Sequence, residues 1–248
     1  MDAFLKLSSN PRVTVRRPGP PDPEGACVVY WMQRAQRGID NPALDVAVET
    51  ANALRKPVVV FFAPRPFPPA NLRHYALLAQ GIPDLAEALE KRGIGFVLRR
   101  FPEHGLLKFC EEVRPALVVG DENPIRQAEG WRQTVAKKLR VPFWTVDADV
   151  IVPTRLLEKE QYAAFIIRPR LEARLKEFLV ASANPRAEIP WTKPSDLQTI
   201  APGLNASDLT AGWKIDRSVQ PVAAWKGGSR EALRLLKKFV KDKLASYP

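Results

Sequence analysis

The chain has 248 residues, a formal net charge of +11, and 46% hydrophobic and 26% charged residues. This balance is ordinary for a globular protein, and no apolar run approaches the roughly 18 residues needed for a membrane-spanning helix. A chain of this kind is expected to have no membrane partner. Its positive charge suits a polyanion such as nucleic acid, and equally suits a solvated basic surface, because the charge is spread along the chain.

Residues 1–25 contain Pro11, Pro18, Pro20, Pro21 and Pro23 and are expected to form an extended Pro-rich leader without regular helix. They lack an apolar core with a small-residue cleavage site, so no secretory signal is expected. Cys27 and Cys110 sit inside apolar patterns, which points to reduced core thiols in a cytoplasmic protein.

The first buried strand is predicted over 26–32. Asn41 is a good N-cap and Pro42 a good first residue for a helix whose stripe is Leu44, Ala47, Val48, Ala51 and Leu54. Further strands are predicted over 58–62, 94–98, 116–120 and 141–146. Between them lie helical patterns: one from Leu72 to Leu89 that Pro83 should kink or break, a short one around Phe109, and a polar one over 127–139. Five strand–helix alternations predict a doubly wound, Rossmann-like parallel α/β sheet of five strands in the order 3-2-1-4-5. Its switch point lies between the first and fourth strands, with 32–37 and 120–126 as its lips, where such folds bind ligands.

Beyond the sheet, a helical pattern runs from Tyr162 to Leu179, interrupted at Pro169. Residues 181–228 read as a linker, and a final helix begins near Ser229. That helix has Leu233, Leu236, Val240 and Leu244 on one face and basic residues on the other, as expected of a dock for a further domain.

No phosphate-binding GxxxxGK[ST], no GxGxxG, no CxxC pair and no HExxH is present. His74 and His104 are isolated, and six tryptophans more often serve packing than stacking or electron transfer. Asp121 at a strand end can bond a ligand or shape the crevice; Asp147 and Asp149 more naturally cap turns.

Four segments together resemble the N-terminal α/β domain of the photolyase/cryptochrome family, and the class II cyclobutane pyrimidine dimer photolyases in particular. Tyr30 to Arg37 with Asp40 and Asn41 resembles YWMxRxQRxxDN; Arg73-His74-Tyr75 with Gly81 resembles RHYxFMLxG. Asp121 to Arg126 resembles DFSPLR. Val146 to Pro153, followed by Gln161 to Arg170, resembles VDAHNIVP…EYAARTIRPK. Pro42 stands where the family tends to have Trp, Asp149-Val150 replaces a His-Asn pair, and Phe165-Ile166 replaces Arg-Thr.

The resemblance implies an antenna domain over 26–180 and the start of a truncated helical flavin domain over 229–248. It also implies a family activity of light-driven DNA repair, in which a reduced FAD in the helical domain donates an electron to a pyrimidine dimer. The α/β domain would carry a deazaflavin or flavin antenna chromophore, with Met32, Arg34, Arg37, Asp121, Arg126 and Asp147 as candidate contacts. FAD is expected only if the helical domain is supplied, as another domain or a partner chain, and no repair is expected of this chain alone. Two further readings stay open: a non-enzymatic chromophore- or nucleotide-binding domain, and a nucleic-acid-binding one.

Overall fold

The structure is a computed structural model and describes residues 2–102 and 105–247; His104 lies outside the described residues. The apolar run of β2 (Cys27–Met32) forms the centre of the sheet. It pairs in parallel with β3 (Val58–Phe62) on one side and β5 (Pro115–Asp121) on the other. β4 (Gly95–Leu98) continues beyond β3, and β6 (Phe143–Val146) beyond β5, both parallel. Strands so rich in Val and Phe are buried on both faces because helices cover each.

The expected sheet of five parallel strands is corrected by a sixth. β1 (Val13–Arg17) lies antiparallel on β6, with Val13 opposite Val146, giving a mixed sheet in the order β1-β6-β5-β2-β3-β4. The leader is therefore not wholly extended. α1 (Asp2–Ser8) falls where no proline occurs, and β1 fits between Pro11 and Pro18 on an outer edge, where prolines do least harm.

Alternation along the strands divides the core in two. Val28, Tyr30, Met32, Val58 and Val60 face α1, α2 (Pro42–Leu54) and α3 (Leu72–Lys91). Val29, Val59, Phe61 and Val118 face α4 (Leu106–Val113) and α5 (Arg126–Lys138). The Asn41 side chain caps α2 by accepting from the amides of Ala43 and Leu44. Pro83 does not break α3, which runs through it. The buried stripe of Tyr75, Ala79, Ile82, Leu85 and Leu89 holds both halves on the sheet and outweighs the lost hydrogen bond. α6 (Ala164–Phe178) likewise continues through Pro169, although no residue of it is buried.

Residues 181–228 run over the α/β unit and contain a short α7 (Ala206–Leu209). Leu209 is buried beside α3, Leu197 is buried beside β4, and Trp191 lies over Gly95. The buried Arg92 guanidinium ties this stretch down, donating to the carbonyls of Pro185 and Gly38 and pairing with Asp45 at 2.8 Å. α8 (Ser229–Asp242) stands on α3 by its first turn. Arg230 donates its amide to Asp84 and pairs with Asp84 and Glu87, while Leu233, Leu236 and Val240 are exposed.

Candidate functional site

The crevice at the carboxyl ends of β2 and β5 is organised by Asp121, the last residue of β5. Its Oδ1 accepts from the Tyr30 hydroxyl at 2.6 Å. Its Oδ2 accepts from the backbone amides of Gln33, Arg34 and Ala35 at 2.8, 2.6 and 3.1 Å. Burial pushes the Asp121 carboxyl above the usual range against these donors, and pushes the Tyr30 hydroxyl well up as well. Asn41 completes the frame, its amide donating to the carbonyls of Ala35 and Arg37 and to the Tyr30 oxygen. The loop after β2 is thus folded around one carboxylate.

Four of the six candidate residues are engaged by the chain itself. Arg34 pairs with Asp149 at 2.5 Å. Arg37 donates to the carbonyls of Asp40 and Ala148. Asp147 caps a turn, its Oδ2 accepting from the amide and hydroxyl of Thr154 at 2.9 and 2.8 Å. Asp121 spends both oxygens as described. Arg126 is exposed at the start of α5. Met32 alone of the six lines the cavity next to this frame.

That cavity, about 770 Å³, opens at the carboxyl ends of β2 and β3 between α3, α4 and α5. Its walls are chiefly apolar and include the aromatic rings of Trp31, Phe61, Phe67, Tyr75, Phe101 and Trp131. A pocket of this size and lining suits a small, largely apolar molecule fixed by a few polar groups. The Arg65 guanidinium lies 3.5 Å from the Trp131 ring centroid and 4.3 Å from that of Phe101. Burial lowers the Arg65 pKa. Two polar atoms of the lining are buried without a partner among the described residues, the Gln33 Oε1 acceptor and the Arg65 Nε donor.

Reading by strand ends missed Arg65, Phe101 and Trp131. The available signal was the Pro-rich loop 63–69, which leaves a buried strand at its ligand-facing end. The Tyr75 hydroxyl holds that loop, donating to the Arg65 carbonyl at 3.0 Å and accepting from the Phe67 amide at 2.9 Å. His74 serves the start of α3, its Nδ1 accepting from the Asn71 amide at 3.2 Å. Among the described residues, no group of three or more His, Cys, Asp or Glu could hold a metal, and no helix is long and apolar enough to cross a membrane.

Residues 28–190 match the family described as DNA photolyase. A deoxyribodipyrimidine photo-lyase of Methanothermobacter thermautotrophicus is 34% identical over 230 residues, covering 92% of this chain and 50% of the relative. One from Potorous tridactylus is 34% identical over 231 residues, covering 88% and 41%. A solved cryptochrome of Synechocystis superposes with a TM-score of 0.63 over 89% of this chain and 48% of its own, at 15% identity, a likeness of fold. The chain spans about half the length of the curated relatives it matches.

Proposed function

This chain belongs to the DNA photolyase family, and from that premise we propose that its α/β unit is the light-harvesting domain of a class II photolyase. The cavity between α3, α4 and α5 takes a deazaflavin or flavin as antenna. The observation that carries this reading is the Arg65 guanidinium against the Trp131 and Phe101 rings in an aromatic-rich cavity, a setting suited to a flat ring. Met32 contacts the ring. Arg34, Arg37, Asp121 and Asp147 support the wall from behind, and Arg126 stands at its outer edge.

On this reading a ring held in the cavity would supply light absorption, and a reduced FAD in a helical domain would supply the electron for repair of a cyclobutane pyrimidine dimer in DNA. The exposed apolar stripe of α8 and the basic surface suit those two partners, the helical domain and the DNA. The chain supplies the antenna half of that system. A cytoplasmic setting suits Cys27 and Cys110, which are buried and unbridged; burial pushes the Cys27 thiol to about 12 and raises that of Cys110.

The test is equilibrium dialysis of the protein against 8-hydroxy-5-deazaflavin and against FMN, with absorption spectra and melting curves of the loaded protein. Binding to the native state must raise stability, by about 2.7 kcal/mol at a ligand concentration of roughly 100 times Kd. A shifted ring spectrum with a raised Tm is expected. Failure of both rings to bind or to move Tm would overturn the reading.

A further inference from the structure

We infer that the cavity selects the phosphate-bearing form of its ring ligand over the neutral form, through Arg65, Lys108 and Lys138. The inference rests on the reading that the cavity holds a planar ring.

Charge asymmetry carries it. Among the described lining residues, Arg65, Lys108 and Lys138 are cationic and none is a carboxylate. Arg65 is half-buried, and the fold treats its fully buried arginines differently. Arg92 pairs with Asp45, Arg99 with Glu112, and Arg132 with Glu122 and Glu129. Arg65 lies against the Phe101 and Trp131 rings with no carboxylate among its described contacts, and its Nε, like the Nε and Nη1 of Arg132, is without a partner. A guanidinium drawn partly out of water gains from aromatic faces, but its charge is best balanced by an anion.

Lys108 on α4 and Lys138 on α5 line the same cavity, both exposed and neither engaged in an ion pair or side-chain hydrogen bond among the described residues. The first turn of α4 adds to them. Its N-cap is Gly105, which has no side chain to occupy the free amides, and Gly105, Leu106 and Leu107 line the cavity. Three cations and an uncapped helix start suit a dianion better than a hydroxyl chain. A phosphomonoester on the ring's side chain meets that requirement.

Riboflavin and FMN share one ring and differ in the phosphate, so they separate the tail from the stack. Equilibrium dialysis read by flavin absorbance, at about 20 mM and about 200 mM salt, compares the wild-type chain with the double variant Lys108→Gln/Lys138→Gln. FMN is expected to bind at least about tenfold tighter than riboflavin at low salt, with the ratio shrinking at high salt. The double variant should bring FMN close to the level of riboflavin, with only the share due to Arg65 remaining, and leave riboflavin unchanged. Equal binding of the two flavins to the wild type, or an equal loss of both in the variant, would overturn the phosphate inference and leave the ring site standing. If neither flavin nor the deazaflavin binds, the chromophore reading falls and this inference falls with it.

Discussion

The Tyr30 hydroxyl donates a 2.6 Å hydrogen bond to Oδ1 of Asp121, joining the middle of the central strand to the end of its neighbour. The other oxygen of that carboxylate gathers three successive amides of the loop after β2. One buried group therefore sets the path of the chain where the ligand-facing edge of the sheet begins. Tyr30→Phe removes one donor and leaves the amides in place, and should cost about 1–2 kcal/mol in a urea titration. Asp121→Asn turns an amide N–H toward either the three backbone donors or the Tyr30 hydroxyl, which then loses its acceptor, and should cost more, about 3 kcal/mol. A smaller effect for Asn than for Phe would show that the carboxylate is not the organising group.

Gly95 and Trp191 meet where the stretch 181–228 crosses β4. A Cβ on Gly95 would lie 2.4 Å from the Trp191 ring, so the ring fits only against bare backbone. Gly95→Ala should displace Trp191 and cost about 1–3 kcal/mol, as overpacking does. Trp191→Ala should be destabilising by itself and should relieve the alanine, so that the double variant is no worse than Trp191→Ala alone. Additive losses in thermal or urea unfolding would mean that the two do not pack, and that 181–228 behaves as a loose linker.

The strands 26–32, 58–62 and 116–120 were legible because a run of apolar residues buried on both faces has few other uses. β1 was not, because Val-Thr-Val-Arg-Arg is short and half polar; its place depends on the free edge of β6 rather than on its own pattern. Pro83 and Pro169 illustrate a related limit, since a local rule about proline competes with packing or continuity that only the folded chain reveals. At the site, the strand-end rule points to the carboxyl edge of the sheet, where the cavity opens, and to Met32, which lines it. It could not tell that Arg34, Arg37, Asp121 and Asp147 are spent on the chain itself. Arg65 and Trp131 come from a loop and a helix far apart in sequence, and only the topology brings them to 3.5 Å.

Trp131 sits half-buried on α5, and its ring forms one face of the Arg65 stack. Trp131→Leu keeps apolar volume but removes the π face. Affinity for riboflavin and for FMN should fall together by about tenfold, which corresponds to about 1.4 kcal/mol. The lysine variants act on the tail and so should lower only FMN. Loss of one flavin and not the other in Trp131→Leu would place the ring elsewhere in the cavity.

Glu129 provides a pH test of the β1–α5 contact. It accepts from Arg16 at 2.9 Å and from Arg132 at 2.5 Å. Burial pushes its carboxyl up, but hydrogen bonds from Arg132 and Gln133 and the charges of Arg16 and Arg132 outweigh burial, and the net pKa is lowered. A carboxyl with a depressed folded pKa stabilises the native state at pH values above its unfolded value of about 4.3, and the contribution is lost as pH falls through the folded value. The stability difference between wild type and Glu129→Gln should therefore be constant above about pH 5 and shrink steadily below about pH 4. Urea titrations across that range read it directly, and a difference that grows on acidification would reverse the sign of the coupling.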